Sequence, residues 1–597
     1  MNVERQLDAS ANRSAALAPD TRGWNFYDAD IGLKDLLSVY LAPALLEHLT
    51  PWLTKLGSMA ANELDVAAHL ADRHTPVLHH RDRFGRDQQW IEYHPAYREL
   101  EEAAYGTFGI HAMSHRAGIM DWPEPYPATA KHAFTYLFNQ AEFGLGCPIN
   151  VTDSGMHAIL KFASDEIKDW LIPKMSTTDT GELWQGGQYM TEKEGGSDVG
   201  SLTTIARLED GQWRVYGEKW FCSNADAELN LMLARPEGAS EGTRGLALFA
   251  LPRFLEDGSP NHYRIVRLKE KLGTRSMASG EVILEGAVVH PIGPLDRGIH
   301  QMLEMVNWSR LSNGIKSSAL MRRAVHDSTA VMRGRKVFGM PLMDKPLARR
   351  QMLKIQLPAE QSLSLWFFTA DVLDKAEGYG GQPASQEAAA LLRIATPVLK
   401  FRSTRDGRRV TGDAMEMRGG IGYVEEFVNP RLLRDAHLGS IWEGTSNIVA
   451  LDAVTRAVAK HDCHVPFQAA LHARLDEAEA IPDAYRAELK GYIDRAVEGI
   501  GAVGASKADE AQCRQVTSAF YHAATAALMA WEGTVIHAKR GDARRLLWSK
   551  LVVEHRLKPR DPFQLGDTAL EDEISALLLG DAAVPLADAA RLVLSER

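Results

Sequence analysis

The order of textures along the chain constrains the fold more than any single motif: helices, then about a hundred residues patterned for strands, then helices again. Over residues 185–292, β-branched and aromatic residues alternate with polar ones between Gly and Asp turns. Examples are QWRVYGEKWFCS after Glu209-Asp210-Gly211, Leu229/Leu231/Leu233, Leu246/Leu248/Ala250 and Val282/Leu284. Before this stretch, LKDLLSVYLAPALLEHLTPWLTKLG places Leu36, Tyr40, Leu45 and Leu49 at helical spacing. After it, Leu311, Ile315, Ala319 and Leu320 do the same, and Ala/Leu-rich segments continue through residue 405. Gly419-Gly420-Ile421-Gly422 breaks the run, and a helix restarts after Trp442-Glu443-Gly444-Thr445-Ser446-Asn447. The pattern predicts an α+β fold, mostly α, in four parts: an N-terminal helical domain (1–184), a central β-domain (185–292), a helical bundle (293–460) and a helical extension (461–597).

Composition narrows the class. Hydrophobic residues make up 45% of the 597, enough to bury large cores, and charged residues 24%. A formal net charge of −11 argues against a whole surface built for polyanions. Cys147, Cys222, Cys463 and Cys513 lie far apart without a C-x-x-C, so neither a disulfide framework nor a zinc knuckle is readable, and a reducing cytoplasm is the expected compartment. The N-terminal MNVERQLDASANRSAALAPD has no apolar h-region, and no stretch has the roughly 18 apolar residues of a spanning helix. A soluble, unexported protein is expected. The His-rich segment 74–94 lacks paired ligand spacing and reads as a solvated loop, with no metal site.

Two segments carry chemistry. In Tyr189-Met190-Thr191-Glu192-Lys193-Glu194-Gly195-Gly196-Ser197-Asp198-Val199, glycines let the backbone approach a ligand, and Thr191 and Ser197 offer hydroxyls to an oxygen-rich group such as a pyrophosphate. An ordinary turn between strands is the plainer alternative. Further on, Lys219-Trp220-Phe221-Cys222-Ser223-Asn224 ends a strand. Alternation sends Trp220 and Phe221 to opposite sides, one facing a planar ligand and the other packing inward.

These segments open a series of blocks. Thr191-Glu192 to Ser197-Asp198 and Phe221-Cys222-Ser223-Asn224 are followed by Lys271-Leu272-Gly273-Thr274-Arg275-Ser276, Arg335-Lys336-Val337-Phe338-Gly339 and Gly419-Gly420-Ile421-Gly422-Tyr423. Arg434-Asp435 and Glu443-Gly444-Thr445-Ser446-Asn447 close the series. In this order the chain resembles the acyl-CoA dehydrogenase flavoprotein family over residues 20–530. It is most similar to the AidB-type branch, through His79-x(3)-Arg83-Phe84-Gly85, Lys219-Trp220-Phe221 and Ser440-Ile441-Trp442-Glu443-Gly444. The resemblance implies the acyl-CoA dehydrogenase fold with a central β-barrel-like domain, an acyl-CoA substrate, electron-transfer flavoprotein as electron acceptor, and a homo-oligomer, most simply a tetramer.

It also implies FAD, with Met190, Thr191, Ser197, Phe221 and Ser223 around the ring and ribityl-pyrophosphate, Thr445, Ser446 and Asn447 beside it, and Arg335, Phe338 and Gly420 completing the site of a neighbouring subunit. Arginine suits a pyrophosphate because its planar fork makes bidentate, charge-assisted bonds. Two positions depart from the family pattern. Phe221 stands where tryptophan is usual, which keeps the stacking face and loses an N–H donor. Glu416 stands where glutamine is usual, and a carboxylate repels a pyrophosphate.

Glu443 matches the family's catalytic glutamate. Desaturating an acyl thioester needs a base for the weakly acidic α-proton, and a carboxylate desolvated beside apolar groups becomes a better base. The alternative is that Glu443 only complements a helix dipole. Arg310 aligns with an arginine beside the family's acyl pocket, or serves a structural ion pair. The extension raises a second possibility, because the AidB branch is known for DNA binding: a flavin-containing, DNA-associated stress-response protein with residual dehydrogenase activity. Residues 461–597 hold 16 Lys+Arg against 21 Asp+Glu, unlike a DNA-binding module. One stretch dissents: KRGDARRLLWSKLVVEHRLKPR, from Lys539 to Arg560, has eight basic and two acidic residues. It reads as a phosphate-binding patch, a contact to CoA or a subunit, or a plain surface helix.

Overall fold

Helices Phe26–Ala29, Ile31–Tyr40, Pro43–Ala61 and Glu63–Arg73 come first in a computed structural model that describes residues 18–563 and 568–595. The seventeen residues before them, which include most of the segment read above for an export signal, lie outside the described residues. The described residues fall into two compact units: one from 63–127 and 141–312, the other from the described parts of 18–62, 128–140 and 313–595.

In the first of these units the His-rich segment is a hairpin, where sequence had suggested an irregular loop. Strand β1 (Val77–Arg81) pairs antiparallel with β2 (Asp87–Glu92). The turn is made by Asp82, whose Oδ1 accepts the N–H groups of Phe84 and Arg86 at 2.8 and 2.9 Å. Histidines, arginines and glutamines hide the alternation, and Ile91 is its only fully buried member. The hairpin docks through Gln89, whose Oε1 accepts the Ile265 N–H at 2.8 Å and whose carbonyl accepts from Arg253 at 2.9 Å.

The strand-patterned stretch forms a seven-stranded sheet: β3 (Gly186–Tyr189), β4 (Ile205–Glu209), β5 (Gln212–Ser223), β6 (Leu229–Pro236), β7 (Ala247–Pro252), β8 (Tyr263–Leu268) and β9 (Ser279–Pro291), in the order β3-β5-β4-β6-β7-β9-β8. Added pairings β3–β6 and β5–β9 curl it into a small barrel. Inward-facing residues fill the lumen, among them Tyr189, Val215, Met232, Phe249, Leu251, Ile265, Val282 and Val289. Lys219 also points inward, wholly buried, and its Nζ lies 2.6 Å from Glu192 Oε1 and 2.9 Å from the Leu233 carbonyl.

The second unit is helical. Its helices include α1 (Gly298–Gly334, in this unit from Asn313), α2 (Pro346–Glu377), α3 (Gln386–Arg418), α4 (Cys513–Arg540) and α5 (Arg544–Val552). Their ends follow local chemistry. Pro346 opens α2, Ser385 caps α3 by accepting the Ala388 N–H at 3.2 Å, and Gly419 stops α3 at φ +76°. The core includes Trp366 stacked on Phe367 at 3.8 Å and Phe467 against Phe520 at 5.0 Å.

A buried ionic chain also crosses this unit. Tyr136 donates to Asp30 (2.9 Å), Arg322 meets Asp30 (3.1 Å) and Glu360 (2.8 Å), and Arg545 meets Glu360 (3.0 Å) and Glu532 (2.7 Å). It ties α5 and α4 of the extension to α2, α1 and the N-terminal helices. No helix among the described residues is long and apolar enough to cross a membrane.

Candidate active site

In the barrel unit, Met190 and Thr191 leave β3 beside the end of β5: the Trp220 N–H donates to the Thr191 carbonyl at 2.9 Å, and Gln188 is in register with Ser223. The Ser223 hydroxyl lies 3.3 Å from that of Ser279. Trp220 and Phe221 do not take opposite sides. The β5–β9 register shifts between Lys219 and Cys222, both wholly buried, so the two aromatics between them stay outside. Phe221 is 53% exposed, and the Lys269 ammonium lies 3.7 Å from the Trp220 ring centre and 4.5 Å from that of Phe221. Ser197 sits exposed in the glycine turn.

Two motif residues have internal roles that sequence spacing could not show. Glu192 is buried and accepts from Thr203 N (2.6 Å), Thr203 Oγ1 (2.9 Å), the Thr204 hydroxyl and Lys219, which pins the 191–204 loop to the lumen. Burial pushes its pKa up, but Lys219 and these donors overcome that and hold it below the ordinary glutamate value. Asn224, at φ +57°, donates to the Gly186 carbonyl at 3.0 Å and locks β5 to β3.

Arg310 is buried in the same unit, with Nη1 3.3 Å from Asn307 Oδ1. Near it in sequence is a polar group that the sequence reading did not foresee. Asp153 accepts from the Trp308 indole at 2.9 Å and lies 2.8 Å from His115 Nε2, while His157 stacks on Trp308 at 4.1 Å. These partners come from segments 38 and 155 positions apart, which no local motif reports.

In the helical unit, Glu443 lies half-buried in the loop between helices Val428–Gly439 and Ser446–Leu451, with φ +54°, and Gly444 follows at φ +94°. A side chain in the left-handed region is uncommon and collects at functional sites, where the surroundings hold the strain. The surroundings here include Asn313, which donates to the Gly439 carbonyl at 3.1 Å, and Arg408, which donates to Ser440 Oγ at 3.2 Å. Thr445 precedes the next helix without a side-chain capping bond, Ser446 is its first residue, and Asn447 Oδ1 lies 3.5 Å from Arg514.

Arg335 follows α1. Its Nη1 donates to the Arg418 carbonyl at 3.1 Å, beside Gly419 and Gly420. The hairpin β10 (Lys336–Val337) and β11 (Met340–Pro341) presents Phe338 at its tip, 97% exposed. Leu347, Tyr423 and Val424 are exposed as well, and so is Glu416. The barrel residues and the bundle residues predicted to share a ligand thus belong to different compact units.

The basic stretch from Lys539 to Arg560 is largely internal. Arg545 and Lys550 are each 1% exposed. Arg544 bonds Asp542 at 2.7 Å, Lys550 and Lys558 both meet Glu554, and His555 lies 3.5 Å from Glu571. Much of its charge is spent inside the fold, and of its basic residues only Lys539, Arg540 and Arg560, at the two ends, are exposed.

Three family descriptions match consecutive parts of the chain: adaptive response protein AidB N-terminal domain over residues 17–179, acyl-CoA dehydrogenase middle domain over 187–287, and acyl-CoA dehydrogenase C-terminal domain over 296–459. AidB of Escherichia coli (strain K12) is 36% identical over 458 residues, covering 74% of this chain and 77% of AidB. Acyl-CoA dehydrogenase family member 11 of Caenorhabditis elegans is 31% identical over 67% of this chain and 66% of its own length. The crystal structure of C. elegans ACDH-11 in complex with C11-CoA superposes with a TM-score of 0.82 at 26% identity, covering 91% of this chain and 93% of that one. The chain belongs to the acyl-CoA dehydrogenase family. Its N-terminal part matches the AidB description and its fold is that of the family.

Proposed function

We propose that the protein is an FAD-dependent acyl-CoA dehydrogenase that introduces an α,β double bond into an acyl-CoA thioester, with Glu443 as the base. The observation that carries this reading is the strained, half-buried backbone at Glu443, held in a loop bonded from the helices beneath it. Such strain is kept where a side chain must be aimed.

The residues fit FAD on the chemistry of their exposed groups. Phe221 is exposed outside the barrel, Ser223 lies two residues further along β5, and the Thr191 carbonyl accepts the N–H of the neighbouring Trp220. Met190, Thr191, Ser197, Phe221 and Ser223 would hold the flavin portion, and Thr445, Ser446 and Asn447 would supply hydroxyl, amide and N–H groups. FAD, when bound, supplies a two-electron acceptor for the β-hydrogen. Glu443 removes the α-proton onto a carboxylate oxygen, and the carboxyl then holds that proton until product leaves. The thioester carbonyl lowers the cost of the α-carbanionic charge, so the base needs only to be aimed and dry. Arg310 stands as a substrate-side residue that orders Asn307.

The exposed Phe338, Leu347, Tyr423 and Val424 favour a homo-oligomer in which a second copy covers them, with Arg335 and Phe338 completing the neighbour's FAD site. The acceptor that returns FAD to its oxidised state is taken to be electron-transfer flavoprotein, and the cytoplasm the compartment.

Anaerobic titration of the purified yellow protein with a panel of acyl-CoA thioesters tests the reading. Bleaching of the flavin absorbance by one acyl class is expected. A protein that takes up no FAD, or whose bound FAD is bleached by none of the panel, overturns it.

A further inference from the structure

Two lysines are buried beneath the loop that carries Glu443. Lys400, in the interior of α3, is wholly buried, and its Nζ donates to the carbonyl oxygen of Gly444. Lys316, on α1, is also buried, with its Nζ 4.6 Å from the ring centre of Trp442. The residues on both sides of Glu443 therefore each meet an ammonium from below.

Withdrawing an ammonium from water carries a large penalty, and a methionine or leucine would fill a packing position without it. A bond that a hydrocarbon could not make is the charge-assisted one from Lys400 to the Gly444 carbonyl. Glycine is the residue type least restricted in backbone rotation, and this one directly follows Glu443 at φ +54°. Without the bond, the Glu443–Gly444 pair has a free route out of the left-handed region, and the Glu443 carboxylate swings with it.

We propose that Lys400 is a positioning residue for Glu443: its buried ammonium holds the Gly444 carbonyl and so fixes the backbone conformation that aims the base. This rests on the reading of Glu443 as the base. Lys400 touches neither substrate nor cofactor in this account and acts only through the loop.

The test uses Lys400→Met in the FAD-loaded full chain, read by hydrogen–deuterium exchange of the 439–447 peptide and by anaerobic flavin bleaching. Loop exchange should accelerate and bleaching should slow by at least ~10-fold, since small misplacements of a reacting group cost up to about 100-fold. Acyl-CoA affinity should stay within about threefold, because the interaction lost is one felt in the reaction and not in binding.

Unchanged loop exchange, or faster exchange with unchanged bleaching, overturns the proposal. If Lys400→Met is insoluble, Lys400→Gln, a shorter neutral donor, must show the same acceleration and slowing. If the unmodified protein is bleached by no acyl-CoA, the dehydrogenase reading fails on its own, and loop exchange alone then decides whether Lys400 holds the Glu443 backbone.

Discussion

Arg545 and Glu360 stand 185 positions apart in sequence and form a buried ion pair, Nη1 to Oε2 at 3.0 Å. Arg545 also bonds Glu532 at 2.7 Å, and Glu360 also bonds Arg322 at 2.8 Å, so one arginine of the extension closes a network that reaches the N-terminal helices. Removing one member leaves the others charged and dry. Arg545→Ala should therefore cost about 3–5 kcal/mol, the range for breaking a buried pair. Urea denaturation followed by far-UV dichroism reads this, and coincident curves for the two proteins would refute it.

Glu443→Gln keeps the shape and most of the hydrogen bonding of the base but cannot accept the α-proton. Flavin bleaching by acyl-CoA should fall by at least ~10², the low end for losing a general base. FAD content should be unchanged, since Thr445, Ser446 and Asn447 are untouched. A variant that bleaches at the normal rate removes Glu443 from the chemistry.

The parts of this molecule that sequence reasoning could read are those set by local periodicity. Alternation marked a β-domain between 185 and 292 and picked out β5, β6, β7 and β9 within it, and helical spacing marked α1 and the Ala/Leu-rich helices after it. Where a local irregularity intervenes, the period misleads. The shifted register between Lys219 and Cys222 puts Trp220 and Phe221 on one side, and strict alternation cannot foresee an inserted residue. The hairpin at 77–92 escaped for the converse reason, since its alternation is written in polar side chains. Least legible was anything decided by distant partners. Arg545 looked like part of a basic patch because Glu360 and Glu532, which meet it, lie far away in sequence or on another helix. The family blocks located Glu443, but the lysine that bonds the next residue lies 44 positions from that residue with no spacing to flag it.

Acid should loosen the glycine loop through Glu192. Its folded pKa is depressed below the 4.5 of a free glutamate, so its stabilisation is present above that value and is lost as pH falls through the folded value. Glu192→Gln cannot titrate and leaves Lys219 buried without its carboxylate. The variant should melt lower than the natural protein at neutral pH, and the gap should narrow as pH falls below about 4.5. Melting curves that run parallel across that range would exclude Glu192 as an acid-sensitive anchor.

Arg335→Ala tests the shared cofactor site. A charge-assisted arginine contact contributes about 1.5–3 kcal/mol, so FAD should be retained at least ~10-fold more weakly. The Arg335 side chain bonds the Arg418 carbonyl, and its other bonds are made by its backbone, which alanine keeps, so the fold itself should melt as before. A monomer by light scattering that carries full FAD, with or without Arg335, would contradict the assembly.

Duplex DNA separates this reading from that of a DNA-associated stress protein. Because Arg545 and Lys550 are each 1% exposed and Arg544 is paired with Asp542, reversing their charge would unfold the extension and say nothing about nucleic acid. The informative cations are Lys354, Arg409 and Arg560, which are exposed and line a cavity of about 450 Å³, where Asp413 and Glu416 offset part of their charge. With that offset and an extension of 16 basic against 21 acidic residues, duplex affinity at physiological salt should be no better than the micromolar values of non-specific binding, on the order of 10⁻⁶ M or weaker. Fluorescence anisotropy over a salt series reads it. Tighter binding that falls steeply with salt, is abolished by Lys354→Glu, Arg409→Glu and Arg560→Glu together, and accompanies a flavin that no acyl-CoA bleaches would make DNA the ligand and the dehydrogenase site a remnant.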